Sequence, residues 1–434
     1  MPAIAAPVPQ PSAEPRTETL VFAAVCDWAG VVRGKAFPEA DLESRLAKGM
    51  GYTHSNIMMS CFGPILTTPF GTGGDLIVRP DPAAHVDVGF GAGPAERFYL
   101  GDIQNIDGSP WECCPRDFLR RAIAALARHG LHLTAAFEQE FVYTGIDARP
   151  GDTYALAAYR RQRGFGEALM AALRQANLRP DSFMPEYGPR QFEVTIGPEP
   201  ALRAADAAVI LREIARGLAF RLGHRAIFAP MLEPDGTGNG THIHMSLADA
   251  AGPATHDPAA PYGIAARTAP FFAGILAHLP ALAAFTTPSV ASYYRLTPNR
   301  WAPVHANLGL QDRGAALRVA PVFATARESA ARQFNVEYRV ADATASPYLA
   351  LGALIFAGVA GLDASLALPA PGARAALLPR TLAEALDALE ADKVAKTWWS
   401  ETAMSAYIAF KRAEIAHLAR ESPAEICNRY ADIY

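Results

Sequence analysis

Four short segments of this chain alternate acidic, imidazole or guanidinium side chains with apolar ones, at residues 137–141, 186–193, 242–246 and 337–339. Successive side chains of an extended strand point to opposite faces. Glu138 and Glu140 would therefore share one face, while Phe137 and Phe141 share the other. If the four segments lie in one sheet, its polar face presents carboxylates and an imidazole. Such a set suits Mg²⁺ or Mn²⁺, and often the ATP phosphates that accompany these ions.

An ordinary half-exposed strand alternates in the same way. A Glu-x-Glu pair on its own is more often part of a solvated face than of a metal site. Solvated faces are rich in Thr, Ser and Lys, however, whereas the polar positions of these segments are almost all Glu, His or Arg. Each segment alone is a weak indication, and the four together favour a site.

Composition narrows the class of protein. The chain has 434 residues, a formal net charge of −4 and no basic run, so neither nucleic acid nor an anionic membrane is an expected partner. Its five cysteines have no metal-binding spacing, and their odd number fits a reducing cytoplasm. They are Cys26, Cys61, Cys113, Cys114 and Cys427.

The pattern along the chain predicts an α+β protein. Residues 1–16 are rich in Pro and Ala and are interpreted as a disordered tail. Residues 17–106 form a small strand-rich domain that begins with a hairpin over 21–27 and 31–37, and residues 107–434 form a large domain. A helix is expected from Pro115 to Gly130. Further helices are expected near 165–178, 200–223, 266–286, 347–362, 382–397 and 401–420, the apolar stretch 348–362 being a buried core helix.

These segments, taken in order, resemble the glutamine synthetase superfamily from about Val21 to the C-terminus. Other matching stretches are Arg33-Gly34-Lys35, Cys114-Pro115-Arg116, Ser292-Tyr293-Tyr294-Arg295-Leu296 and Ser346-Pro347-Tyr348-Leu349. The resemblance implies a β-grasp-like N-terminal domain and a catalytic domain whose curved antiparallel sheet, a half-barrel, is backed by helices. It also implies a homo-oligomer, typically a dodecamer of two stacked hexamers with active sites between adjacent subunits. The implied reaction is ATP-driven amide formation through a γ-glutamyl phosphate.

The resemblance further implies a role for each polar residue. Two to three divalent ions would be held by Glu140, Glu186 and Glu193 on one side and by Glu138, His242 and Glu337 on the other. The ATP phosphates would face His244, Ser246, Arg313 and Arg318. From spacing alone, a polar strand-loop pair stays open for Glu186 and Glu193, and surface salt bridges stay open for the last two arginines.

The carboxylates of glutamate would be clamped by Arg295 and Arg339, because a planar guanidinium makes bidentate hydrogen bonds. With Arg313, these two are the expected catalytic residues. Gly238 and its neighbouring glycines would let the backbone approach the substrate. Thr237 stands where the family usually has an asparagine near the glutamate amino group.

Two further departures concern the second substrate. Ammonia-using members carry an aspartate in the loop that corresponds to residues 52–56, where this chain has Thr53, and a glutamate where this chain has Trp301. Both acids that would attract ammonium are absent. We therefore expect both positions to contact an organic primary amine, with an aryl or short alkyl amine ranked above a polyamine. An ammonia-dependent glutamine synthetase and a catalytically inactive homologue are the alternatives.

Overall fold

The computed structural model of this chain describes residues 17–91, 93–323 and 329–434. The predicted tail over residues 1–16 therefore lies outside the described residues. The α+β class is confirmed, with a small N-terminal sheet followed by a large curved sheet covered by helices. The predicted boundary between residues 106 and 107 stays a prediction.

The N-terminal sheet has five strands in the order β2-β1-β5-β4-β3. The predicted hairpin is confirmed as β1 and β2, and Asp27 forms its turn by accepting hydrogen bonds from the backbone N–H groups of Ala29 and Val31, each at 2.9 Å. All neighbouring strands are antiparallel except β1 and β5. The strands are β1 (Leu20–Cys26), β2 (Val32–Pro38), β3 (Met50–Thr53), β4 (Asp75–Val88) and β5 (Glu96–Asn105).

The large sheet has ten strands, and its main path runs β13-β14-β15-β11-β6-β8-β7. Its pairs are antiparallel apart from β13 with β14 at one edge. On β6, buried and partly exposed side chains alternate as predicted, so Phe137 and Phe141 enter the core. The strands are β6 (His132–Tyr143), β7 (Pro180–Pro185), β8 (Gln191–Ile196), β9 (Glu199–Pro200), β10 (Ala226–Ile227), β11 (Thr241–Asp249), β12 (Gly252–Pro253), β13 (Leu308–Leu310), β14 (Leu317–Val319) and β15 (Val336–Tyr338).

Most of the predicted helices are confirmed. The helices are α1 (Leu42–Lys48), α2 (Pro115–Ala127), α3 (Leu156–Gln175), α4 (Ala201–Arg221), α5 (Ala269–Ala277), α6 (Leu279–Thr286), α7 (Ser292–Arg295), α8 (Ala330–Gln333), α9 (Pro347–Asp363), α10 (Leu382–Ala391), α11 (Glu401–Leu418) and α12 (Pro423–Ile433). The expected core helix is α9, which is almost entirely buried.

Two helix predictions were too long. The single helix expected over 266–286 is two, α5 and α6, bent by 77° at His278. Pro280 lacks the N–H that would continue the first helix, and its ring would clash with the carbonyl four residues earlier. Helix α10 ends at Ala391, because the Asp392 side chain accepts hydrogen bonds from the next turn of backbone. Among the described residues no single helix is long and apolar enough to cross a membrane, although the bent α5–α6 pair passes a test of length and composition.

A buried arginine on α2 links the N-terminal sheet to helix α4 of the large domain. Arg116 on α2 forms ion pairs with Asp81 at 2.8 Å and Asp102 at 3.1 Å, both from the N-terminal sheet. On its other side it pairs with Asp206 of α4 at 2.9 Å, which also accepts a hydrogen bond from Tyr348 at 2.6 Å. Three carboxylates around one guanidinium satisfy the buried charge, so this cluster fixes the N-terminal sheet against the large domain.

Candidate active site

Antiparallel pairing aligns the polar side chains of five neighbouring strands in one row. Glu140 lies opposite Glu193, and Glu138 lies opposite His242. Continuing across the sheet, His244 lies opposite Glu337, which also faces Arg318. The sequence predicted the faces of single strands, and the register now brings them together on one surface.

Glu138 is the centre of this row. Its two carboxylate oxygens each lie 3.1 Å from an imidazole nitrogen, one from His242 Nδ1 and the other from His244 Nε2. Within the part of the chain that the structure describes, two groups of side chains have ligand atoms within 4.8 Å of one another: Glu138 with Glu193 and His242, and Glu138 with His244 and Glu337. The predicted division of ligands between two ions differs from these groups and stays a prediction.

The protonation states of Glu193 and Glu138 indicate that this part of the row can bind a cation. Burial, reinforced by the neighbouring carboxylate of Glu138, raises the pKa of Glu193 to about 11. Burial opposes ionisation of Glu138 as well, but hydrogen bonds from His242 and His244 hold the pKa of Glu138 well below its usual range. Glu193 therefore keeps a proton at neutral pH beside an ionised Glu138. A divalent ion would replace that proton, and this donor set of carboxylates and imidazoles fits Mg²⁺ or Mn²⁺.

The other two predicted carboxylate ligands flank this centre. Glu140 Oε2 accepts hydrogen bonds from the Gly240 N–H at 2.7 Å and from Gln191 Nε2 at 3.3 Å. Glu186 follows β7, and its Oε2 accepts from the Tyr187 N–H at 2.7 Å and the Tyr154 hydroxyl at 3.1 Å. Burial and the charge of Glu140 raise the pKa of Glu186.

The predicted glycines make room for side chains. A Cβ atom on Gly240 would lie 2.9 Å from His242 Nε2, and one on Gly238 would lie 2.6 Å from Arg295 Cγ. Such distances are too short for a non-bonded contact, so larger residues would displace both groups. Thr237 lies beside this turn, against Gly188.

Of the predicted nucleotide-facing and substrate-facing arginines, Arg318 and Arg339 lie at the Glu337 end of the row, whereas Arg295 lies beside Gly238 and Gly240. Arg318 Nη1 is 2.7 Å from Glu337 Oε2, and Arg339 forms a second ion pair with Glu337. Arg339 Nε also donates to the Arg313 carbonyl at 3.0 Å, while the Arg313 side chain is exposed. Arg295 is buried near Gly238 and donates to two backbone carbonyls. Two of the four arginines therefore contact a carboxylate of the row, and the guanidinium roles predicted for Arg295 and Arg313 stay predictions.

His244 and Ser246 lie along the outer part of β11. His244 Nδ1 lies 2.8 Å from Asn335 Oδ1, and the Ser246 hydroxyl donates to the Phe334 carbonyl at 2.8 Å. Burial opposes protonation of His244, but the hydrogen bond with Glu138 and the charges of Glu138 and Glu337 together raise the imidazole pKa. Asn335 orients this ring and was missed in the sequence, although it stands two residues before Glu337.

An aromatic rim borders the site at Glu186. The Trp301 side chain is 63% exposed and Tyr187 is 58% exposed, and their ring centroids are 5.8 Å apart. The Trp301 carbonyl accepts a hydrogen bond from Arg339 at 3.5 Å, and Tyr154 joins the rim through its bond to Glu186. Sequence reasoning found Trp301 and missed both tyrosines, although Tyr187 directly follows a predicted metal ligand.

Thr53 lies elsewhere within a single chain. It ends β3 in the N-terminal sheet, opposite Asp75. The next residue, His54, packs against Phe70 and Trp111. Among the described residues, no hydrogen bond or ion pair joins Thr53 to the carboxylate row, so the structure does not bring it to the other predicted site residues.

Comparisons with known proteins identify the family of this chain. The family profile "Glutamine synthetase, catalytic domain" matches residues 112–430, and "Glutamine synthetase N-terminal domain" matches residues 11–111. The chain belongs to the glutamine synthetase family. Members of this family use ATP and divalent ions such as Mg²⁺ or Mn²⁺, and this member is an ATP-dependent ligase.

Relatives in this family include ligases for amines other than ammonia. The chain is 35% identical to the gamma-glutamylpolyamine synthetase GlnA3 of Streptomyces coelicolor, covering 91% of this chain and 89% of that protein. It is 27% identical to the gamma-glutamylanilide synthase of an Acinetobacter species, covering 92% and 88%. A crystal structure described as a novel glutamine synthase homolog superposes with a TM-score of 0.92 at 38% identity, covering 98% of this chain and 100% of the other.

Proposed function

We propose that this glutamine synthetase family member joins the γ-carboxylate of L-glutamate to an organic primary amine, with cleavage of ATP to ADP and phosphate. The observation that carries the proposal is the exposed Trp301 indole beside Tyr187, at a position where ammonia-using members have an acid. An indole offers no fixed negative charge to a small hydrated cation such as ammonium, which needs one to offset desolvation. It does offer an apolar face to an organic amine.

The chemistry needs two steps because a carboxylate is a poor electrophile. A γ-carboxylate oxygen first attacks the terminal phosphorus of ATP, and ADP leaves. The amine nitrogen then attacks the carbonyl carbon of the acyl phosphate, phosphate leaves with the electron pair of the C–O bond, and the nitrogen loses a proton. Divalent ions, when bound, neutralise phosphate charge and align the reacting groups.

The residues of the row divide this work. We assign the divalent ions to Glu138, Glu140, Glu186, Glu193, His242 and Glu337. His244, Ser246, Arg313 and Arg318 bind the phosphates of ATP. This subsite lies at the end of the row where Arg318 and Arg339 pair with Glu337. Arg295 and Arg339 hold the glutamate carboxylates, with Thr237 and Gly238 lining that subsite.

The aromatic rim selects the amine. Burying an apolar amine body between rings contributes about 25 cal/mol per Å² of apolar surface removed from water. The distal charges of a polyamine would instead need unpaired carboxylates. Beside the rim, Asp152, which stands two residues before Tyr154, is already 2.6 Å from Arg161. An aryl or short alkyl amine therefore ranks above a polyamine.

The decisive experiment compares kcat/KM for ammonia, methylamine, isopropylamine, aniline and putrescine, with purified protein, ATP, Mg²⁺ and L-glutamate. We expect an apolar amine to exceed ammonia by at least about tenfold, a difference of roughly 1.4 kcal/mol in transition-state binding. Trp301→Glu should narrow that ratio by restoring an acid, while Phe220→Glu, an exposed aromatic on α4 outside the site, should leave it unchanged. If ammonia is the best substrate, the protein is an ammonia-dependent glutamine synthetase. If no nucleophile gives phosphate release, the protein is a catalytically inactive homologue.

We also propose that the active enzyme is a homo-oligomer, a dodecamer of two stacked hexamers. The position of Thr53 supports this, because its predicted contact with substrate requires the N-terminal domain of an adjacent copy. Light scattering of the purified protein gives the mass directly, and a monomer with full activity would contradict the proposal. Five free, buried cysteines support a cytoplasmic location.

A further inference from the structure

A short loop, residues 340–345, lies behind Arg295. Arg295 donates hydrogen bonds to the carbonyls of Val340 and Ala341, the latter at 2.9 Å. The next residue is Asp342, whose Oδ1 accepts from the Thr344 N–H at 3.0 Å and from the Thr344 hydroxyl. This aspartate therefore closes a tight turn, in the manner of Asx turns. The turn fixes the direction of the two preceding carbonyls.

A second buried arginine holds the other side of the same loop. Arg212 on α4 donates to the carbonyls of Ala343 and Ala345, and it also reaches the Gly30 carbonyl in the N-terminal hairpin at 3.3 Å. Two guanidinium groups thus converge on residues 340–345, and Asp342 is the acidic residue of that segment. A buried cation needs a compensating anion nearby.

Charge and burial link this aspartate to Arg295 in particular. Arg295 is 5% exposed and Asp342 is 1% exposed. Within the described residues the two form no ion pair of 4.0 Å or less; Arg295 Nε is buried without a hydrogen-bond partner, and the Ser292 hydroxyl also acts on the Asp342 carboxylate. Burial lowers the pKa of Arg295, and Asp342 is the foremost charge that opposes it. In the reverse direction, burial raises the pKa of Asp342, and Arg295 is the foremost charge that opposes that shift.

We propose that Asp342 is a positioning residue for Arg295: its turn aims two carbonyls at the guanidinium, and its carboxylate supplies the buried negative charge that keeps the guanidinium in place for the acyl donor. The inference rests on the proposed function only in naming glutamate as that donor. Asp342 itself touches no substrate in this scheme.

Kinetics separate the two parts of the role. Asp342→Asn keeps the turn and removes the charge, whereas Thr344→Val removes a hydrogen bond and keeps the charge. We expect Asp342→Asn to raise KM for L-glutamate by about tenfold or more, with KM for ATP nearly unchanged, and Thr344→Val to have a smaller effect. Unchanged glutamate KM in Asp342→Asn would overturn the proposal. If the wild-type enzyme does not use glutamate at all, the proposed function fails instead.

A stability cycle tests the charge relation without any substrate. Arg295→Met should leave Asp342 uncompensated and lower the melting temperature, and adding Asp342→Asn should recover part of that loss. If Asp342→Asn alone is insoluble, the double variant with Arg295→Met should still be soluble and folded. Arg212→Met serves as the matched control, since the same second substitution should recover less there. Additive losses in the Arg295 cycle, or a larger recovery in the Arg212 cycle, would refute the assignment.

Discussion

Replacing Glu193 by Gln should stabilise the metal-free protein at neutral pH while abolishing metal-dependent activity. The pKa of Glu193 is raised to about 11, so the folded chain keeps a proton that an unfolded chain releases above about pH 4.5. Folding therefore becomes less favourable as the pH rises from 4.5 toward 11. Gln carries no titrating proton in either state, and its amide N–H can take the place of the proton next to Glu138.

The size of the effect follows from the same shift. Each pH unit above the ordinary value of 4.5 lowers the free energy of unfolding by about 1.4 kcal/mol. The buried Glu193 therefore destabilises the metal-free protein by at most about 3 kcal/mol near neutral pH. Hydrogen bonds from His242 and His244 to Glu138 offset part of this cost. We expect a higher melting temperature for Glu193→Gln than for the wild type near pH 7, and a smaller difference near pH 5.

Calorimetry of Mg²⁺ or Mn²⁺ binding in buffers of different ionisation enthalpy measures the linked proton. The wild type should release close to one proton when Glu193 becomes a ligand, and its metal affinity should rise with pH. Glu167→Gln, at an exposed carboxylate paired with Arg163 on α3, is the matched control and should behave as the wild type. Metal binding without proton release, together with equal stability of wild type and Glu193→Gln, would refute the reasoning.

Three further predictions use the same protein. Arg339→Lys should lower kcat/KM for glutamate by about one order of magnitude or more, because a point charge replaces a bidentate donor; a silent substitution would place the donor carboxylate elsewhere. Glu140→Ala should abolish phosphate release while circular dichroism and mass stay unchanged, and full activity would remove Glu140 from the ligand set. Arg116→Met should destabilise the fold by about 3 kcal/mol, since it leaves the buried Asp206 without its guanidinium while Asp81 and Asp102 keep Arg120, and an unchanged melting temperature would contradict the ion-pair account.

Much of the site geometry could be predicted because strand alternation is local. Glu138 and Glu140 on β6, and His242 and His244 on β11, share a face for the same reason in any extended chain. Which of these residues meet depends on register, which no single strand encodes. The grouping of Glu138 with both histidines therefore emerged only from the pairing of β6 with β11 and of β11 with β15.

Loop residues were the hardest to predict. Trp301 and Tyr154 both have positive φ angles, 51° and 53°, a conformation that side chains with a Cβ rarely adopt. Spacing along the chain does not reveal such geometry, so the rim that joins Tyr154, Tyr187 and Trp301 depends on tertiary structure. The break between α5 and α6 was readable in principle, since Pro280 stands within the apolar stretch that was interpreted as one helix.

The arginine at the domain junction has a consequence for how this chain can be assembled or recombined. Asp81 and Asp102 precede Arg116 during synthesis, but Asp206 lies 90 residues beyond it. The three ion pairs of this junction are therefore complete only after the chain has been synthesised past Asp206 on α4. For the same reason, a chimera that takes residues 1–106 from a relative inherits the acids at positions 81 and 102 from one parent and the acid at position 206 from the other. Matching those acids to the arginine is a design requirement for such exchanges.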